Sequence, residues 1–199
     1  MSNERLTAIA ALTAPGMDYE IVLDEVWGRH CRVFKNAPPT LRDLYQAASS
    51  DETFLVFEDE RYTFAETNER VAQIANILVD RFSVQKGDRV AISMRNYPEW
   101  IFAFNAATSI GAIAVAMNSL WLSEEMEFGL KDSGAKVLFA DQERLDRLSP
   151  VRENLDLEVI SVRATNQPAN TSALEDLLDG EVSNILPVSY THLEPTRPY

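Results

Sequence analysis

The sequence predicts an α/β fold, a parallel sheet with flanking helices built from βαβ units. Three observations carry that expectation. Four short β-rich runs, Arg89–Met94, Ala112–Met117, Lys136–Ala140 and Leu157–Val162, begin 23, 24 and 21 residues apart. The stretches between them carry helical signals, and strand–helix–strand at that spacing is what the right-handed crossovers of a parallel sheet require. The runs themselves are almost unbroken in apolar residues, as strands covered on both faces are.

The elements follow in order. Residues 1–50 are loosely patterned and read as a lead-in. The paired prolines of Asn36–Thr40 exclude a helix interior. Thr40 is placed to cap a short helix through Ser49 with Leu41, Leu44 and Tyr45 on one face. Residues 53–64 read as a β-hairpin around the acidic turn Glu58-Asp59-Glu60. Thr63 and Glu66 then form a capping-box pair. They open an amphipathic helix that carries Val71, Ile74, Ala75, Leu78 and Phe82 at spacings of three and four. Gly87-Asp88 joins that helix to the first apolar run. A second helix starts near Tyr97-Pro98-Glu99 and ends at Gly111. A third starts near Ser123-Glu124-Glu125, with Ser123 as cap, and ends at Gly134. A fourth covers about Gln142–Asn154 with a break at Pro150.

In such sheets ligands sit beyond the carboxyl ends of the strands. Those ends carry Arg95-Asn96, Asn118-Ser119 and Asp141, which form the candidate site. The same residue types are what turns and helix caps need after a strand, and this scaffold reading is the stronger of the two.

Composition narrows the function classes. With 46% hydrophobic and 25% charged residues the chain can bury a real core. A net charge of −13, from 31 acids and 18 bases, argues against a nucleic-acid footprint and against docking on anionic membrane. The single cysteine, Cys31, forms no internal disulfide, and with only His30 and His192 a histidine-rich metal site is excluded. A reducing cytoplasm fits. His30-Cys31 is a poor nucleophile–base pair, because neighbours in an extended segment point to opposite faces. The N-terminus only faintly resembles a signal peptide and is not read as one: Glu4 and Arg5 cancel, and Thr7 interrupts Leu6–Leu12. The longest apolar run, about Ile110–Met117, is far short of the ~20 residues of a membrane span. No Gly-x-Gly-x-x-Gly follows the first run, and no Gly-x-x-x-x-Gly-Lys-[Ser/Thr] or Gly-x-Ser-x-Gly occurs. Pattern alone names no reaction.

The order of motifs does more. Thr63-Phe64-Ala65-Glu66, then Gly87–Ile92 with Asn96, Pro98, Glu99 and Trp100, then Gly111–Asn118 and Asp132–Asp141 resemble, in that sequence, the N-terminal region of the adenylate-forming (AMP-binding) enzymes. Thr67 stands where that family usually has leucine, Ala116 where it has proline, and Ser119 where proline often follows the asparagine. Asn118 followed by Ser119-Leu120-Trp121 is more similar to the acyl-CoA synthetases, the fatty-acid–CoA ligase branch, than to amino-acid adenylation domains.

The resemblance implies a parent enzyme that uses ATP and Mg²⁺ to convert a carboxylic acid to acyl-AMP, then transfers the acyl group to coenzyme A. It implies that residues 51–186 are a truncated N-terminal subdomain, and that the glycine-rich phosphate loop follows a segment like Glu181–Leu186. No residue here matches that loop or the later adenine, ribose and lysine positions, so no catalytic, cofactor-binding or metal residue is assigned. Asn118 and Trp121 match motif positions but read as scaffold. Pro187–Tyr199 contains no glycine, and its Pro-Val-Ser-Tyr-Thr-His-Leu run resembles a translated sequencing adaptor. It is expected to be non-native, which leaves His192 without functional weight; a divergent native end is the alternative. The fragment alone is expected to be inactive and to leave one sheet face bare. The rival readings are a non-catalytic α/β binding module and a ligase that loads a carrier protein. Small-molecule acid, ATP and CoA are the expected partners, with no nucleic acid and no membrane span. The sequence carries no signal for an oligomeric state.

Overall fold

The computed structural model describes residues 2–26, 28–180 and 182–187. The lead-in is more ordered than its pattern predicts. Helix α1 (Asn3–Leu12) is followed by an antiparallel hairpin of β1 (Ile21–Val26) and β2 (Arg29–Phe34), with Gly28 at φ 73° beside the turn. The hairpin went unread because most of its residues are exposed, so it lacks the apolar/polar alternation that marks a half-buried strand. At its base Glu20 accepts from the Gly16 N–H at 2.9 Å and pairs with Lys35 at 3.0 Å. His30 and Cys31 are neighbours on β2, opposite Glu25 and Asp24 respectively, as expected of residues on alternate faces.

Helix α2 (Leu41–Ala47) starts at a capping box of Thr40 and Asp43, two residues shorter at its end than the sequence suggests. The next hairpin pairs β3 (Thr53–Phe57) with β4 (Glu60–Thr63). Its loop is only Glu58-Asp59, with Glu58 at φ 49°, so Glu60 belongs to a strand and not to the turn. Thr63 and Glu66 make the expected reciprocal bonds, 3.1 Å to the Glu66 N–H and 2.8 Å from the Thr63 N–H, at the head of α3 (Phe64–Asp80). Such a cap stabilises by about 1 kcal/mol. Val71, Ile74, Ala75 and Leu78 are buried, which confirms the helical period.

The remainder is the βαβ series: β5 (Arg89–Ser93), α4 (Pro98–Ser109), β6 (Ile113–Ala116), α5 (Ser123–Ser133), β7 (Ala135–Asp141), α6 (Gln142–Leu148), a 3₁₀ segment Ser149–Asn154, β8 (Glu158–Val162), β9 (Ser172–Ala173) and α7 (Leu174–Leu178). The break at Pro150 appears as the change from α to 3₁₀ geometry. Ser123 is not the cap of α5. Leu122 takes that place, the Glu125 carboxylate accepts from its N–H at 3.0 Å, and the Ser123 hydroxyl instead donates to the Arg147 carbonyl at 2.6 Å.

Five strands form one sheet in the order β6-β5-β7-β8-β9, with every pairing parallel. Both faces are covered. Val90, Ile92, Val137, Phe139 and Ile160 face α3 and α4, while Ala91, Leu138, Ala140 and Val159 face α5, α6 and the 3₁₀ segment. The expected bare face is therefore absent among the described residues, because helices from both sides of the winding return to the sheet. No helix among the described residues is long and apolar enough to cross a membrane.

Candidate functional site

The strand order places the crevice. The chain winds from β5 outward to β6, then crosses back to β7 on the other side of β5. A doubly wound sheet opens where that direction reverses, at the carboxyl ends of β5 and β7. A cleft of ≈ 680 Å³ lies there, lined by Phe57, Arg95, Asn96, Tyr97, Ser119 and Arg144 among others.

The structure brings most of the sequence-predicted residues to this place but gives them different tasks. Asp141, at the end of β7, is buried. Its Oδ2 accepts from the Arg95 N–H at 2.9 Å and its Oδ1 from the Arg144 N–H at 3.2 Å, so it caps α6 and ties the loop after β5 to the end of β7. Arg95 and Asn96 line the cleft, and the Arg95 guanidinium reaches Glu143 at 3.1 Å. Ser119 contributes its carbonyl, which accepts from Arg144 Nη2 at 2.6 Å and from Arg147 Nη1 at 2.9 Å. Asn118 does not line the cleft; its Oδ1 accepts from the Leu120 N–H at 2.9 Å and closes a turn. The Trp121 ring lies so close to Gly129 that a Cβ there would sit 2.5 Å from it, a packing role.

Sequence reasoning missed Arg144, Glu143 and Tyr97. The signal for Arg144 was present, since Asp141 and Arg144 are three apart across a strand-to-helix junction. The Arg144 side chain is only 4% exposed and is fully engaged, by Asp141 at 3.2 Å, by Glu143 at 2.9 Å and by the Ser119 carbonyl. Arg147 pairs with the other oxygen of Glu143. The Glu143 carboxyl is held below its ordinary range chiefly by the charge of Arg144, then by the hydrogen bond from Arg95.

The upper wall is a second cluster. Arg163 follows β8 with φ 50° and sends a bidentate fork to Glu60 at 2.7 and 2.8 Å, while its Nε bonds Glu99 at 3.0 Å. Its guanidinium carbon lies 5.2 Å from the ring centroids of both Phe57 and Tyr97. These two rings meet edge to face at 5.5 Å and form the partition between the cleft and a smaller apolar groove of ≈ 320 Å³ beside Trp100. Chemically, the cleft offers a walled recess with internally paired charges. Among the described residues no three His, Cys, Asp or Glu side chains gather as a metal site.

Comparison with known proteins identifies what has this architecture. The family profile described as AMP-binding enzyme matches residues 44–195. This chain belongs to the AMP-binding enzyme family. The match starts after α1 and the first hairpin and includes the whole five-stranded sheet. Curated relatives of this AMP-binding chain include several acid–CoA ligases. A 2-succinylbenzoate–CoA ligase of Bacillus velezensis is 32% identical over 142 residues, 71% of this chain and 26% of the relative. 4-Coumarate–CoA ligase 3 of Arabidopsis thaliana is 34% identical over 96 residues, 48% of this chain and 17% of the relative. Among solved structures, an anthranilate CoA ligase in complex with anthranoyl-AMP superposes with a TM-score of 0.70 at 25% identity, over 75% of this chain and 29% of that one. The AMP-binding chain thus spans between 17% and 27% of the length of these curated relatives.

Proposed function

We propose that this chain is the N-terminal part of a cytoplasmic ATP-dependent acyl-CoA synthetase, with residues 1–50 a lead-in, 51–186 part of the AMP-binding domain and 187–199 foreign. Its substrate is a carboxylic acid of the fatty-acid class. The acid's oxygen attacks the α-phosphorus of ATP and the bond to pyrophosphate breaks. The CoA sulfur then attacks the acyl carbon and AMP leaves. Activation is needed because AMP leaves far more readily than oxide. The observation that carries the ligase reading is the family match over residues 44–195, which includes every strand of the sheet. The foreign assignment of 187–199 rests on that segment's own sequence, against a match that runs to residue 195. The fatty-acid branch is supported by Asn118 followed by Ser119-Leu120-Trp121.

In this reading the segment is the scaffold of the ligase. The arginines at and beside the cleft, Arg95, Arg144, Arg147 and Arg163, are paired with the chain's own carboxylates, so none is assigned to the phosphates, and Mg²⁺ is given no ligand from this chain. The ATP-cradling loop follows residue 186, and the isolated chain of 199 residues does not catalyse. The cleft at the β5/β7 switch point favours a second reading, a non-catalytic α/β binding module. A ligase that loads a carrier protein in place of CoA is a third.

The test is an independent read of the source DNA through and past codon 199, followed by expression of whatever frame is found. Acid-dependent ATP–pyrophosphate exchange and thioester formation would be assayed with fatty acids of several lengths and with aryl acids. The expected result is a frame that continues past Leu186 into a glycine-rich loop, with fatty-acid-dependent exchange by the long product and none by the 199-residue chain. A natural stop after Tyr199 refutes the ligase reading. Exchange driven by aryl acids alone refutes the fatty-acid assignment.

A further inference from the structure

Residues 182–187 turn back across α3, with Val182 and Leu186 packed against the core beneath α3 and α4. Between these anchors residues 183–185 are exposed and have neither sheet nor helix to fix their course, so water competes for their carbonyls and side-chain bonds are what hold the segment to the fold. The Asn76 amide nitrogen lies 3.0 Å from the Ser183 carbonyl, 2.8 Å from that of Ile185 and 2.8 Å from that of Ala72 one turn back, so its two hydrogens are shared among three acceptors; the Ser183 hydroxyl adds a longer bond to the Ile185 carbonyl at 3.4 Å. Arg42 on α2 donates to the Pro187 carbonyl at 2.8 Å. The strap is otherwise thin. Ile185 is 74% exposed, and a groove of ≈ 400 Å³ runs beside it between Tyr45, Asn68 and Leu186.

The sequence separation makes the arrangement informative. Asn76 holds carbonyls 107 and 109 residues later, from a helix whose polar positions could otherwise hold any helix-forming residue. Asparagine is a mediocre helix former, and here its side chain bonds outward.

We propose that Asn76 is a positioning residue: it sets the course of residues 182–186 and so the place from which the following chain departs. Resting on the ligase reading above, that following chain builds the ATP site, so Asn76 acts on ATP binding without touching ATP. The Arg42 bond falls on Pro187, in the segment read as foreign, and carries no part of this role.

Two variants separate this role from packing. Asn76→Asp keeps the shape of the side chain but sets a carboxylate against two carbonyl oxygens. Asn76→Ala removes the donor. In the 199-residue chain, hydrogen–deuterium exchange of the amides of Val182–Leu186 is expected to quicken about tenfold in both variants, more in Asn76→Asp, with the amides of β5, β7 and α3 unchanged. In the longer ligase the KM for ATP is expected to rise about tenfold, with the KM for the acid and the rate of thioester formation within twofold. Asn76→Asp indistinguishable from the parent in strap exchange and in ATP KM overturns the proposal, since a packing role tolerates the isostere. A longer protein with no acid activation removes the ligase reading and the ATP clause with it; the exchange arm still decides whether Asn76 holds the strap.

Discussion

Arg144 lines the cleft and Arg163 packs on the Phe57 and Tyr97 rings of its wall, and they are different kinds of clamp. Arg144 is 4% exposed, three residues from its main partner, and bonds two carboxylates of its own strand–helix junction and the Ser119 carbonyl from the segment after β6. Arg163 is 29% exposed and gathers Glu60, Glu99, Phe57 and Tyr97 from three separate elements. The buried clamp has no water to replace a lost partner, so breaking it leaves Asp141 charged in the interior. The half-exposed clamp is screened and its carboxylates can rehydrate, so its removal costs less, but it is the one that decides where the β3–β4 hairpin sits.

The largest effect should therefore come from Arg144→Leu. It is expected to cost about 3–5 kcal/mol, read as a drop in the urea midpoint at constant slope. A loss below about 1 kcal/mol would show that the two clamps do not differ as argued. Arg163→Met follows, with an expected loss of about 2 kcal/mol from charge-assisted bonds to two carboxylates and stacking on two rings. Arg163→Gly should be milder than Arg163→Met by about 0.5–1 kcal/mol, because glycine relieves the left-handed backbone at φ 50°. If the two are equal, the backbone there carries no strain.

Acid pH sharpens the contrast. The Glu60 carboxyl is held below its usual 4.5, first by the hydrogen bonds from Arg163. A depressed carboxyl contributes stability above its unfolded pKa and loses it as pH falls through the folded value. The stability of the parent should thus fall below about pH 4.5, and that fall should be shallower in Arg163→Met, measured by urea unfolding at stepped pH.

The smallest effect is at the alkaline end. Burial, then its hydrogen bond to Glu60, pushes the Tyr62 hydroxyl up from 10.0 to about 12. A raised value contributes stability below the unfolded pKa and loses it as pH rises through the folded one, here between about 10 and 12. Tyr62→Phe is expected to lose roughly 1 kcal/mol at neutral pH and to flatten that alkaline decline, followed by unfolding between those pH values. An unchanged decline would place its cause elsewhere.

The two clamps also mark how far the sequence could be read. The helix starts at Thr63 and Pro98 and the four apolar runs were legible because each depends on groups within a few residues: a cap on its N3 neighbour, a period on its own helix, a glycine on its own φ. The Asp141 end of the site was legible for the same reason, and its pairing with Arg144 lies one turn away. The first hairpin was not, since its exposed strands show no alternation. Ser123 looked like a cap by type, but its hydroxyl found the Arg147 carbonyl across the fold.

Local sequence, then, determined the kind of each main element, the parallel α/β class and the strand-end position of the candidate site. The order of motifs pointed to the AMP-binding family. Only the tertiary structure decided the sheet order β6-β5-β7-β8-β9, and with it that the crevice opens between β5 and β7. It also brought Arg163 between Phe57 and Tyr97 and set Asn76 against Ser183 and Ile185. Those contacts join residues 66 to 109 positions apart, and no local rule encodes which distant partner a side chain will meet once two layers of helix close on a sheet.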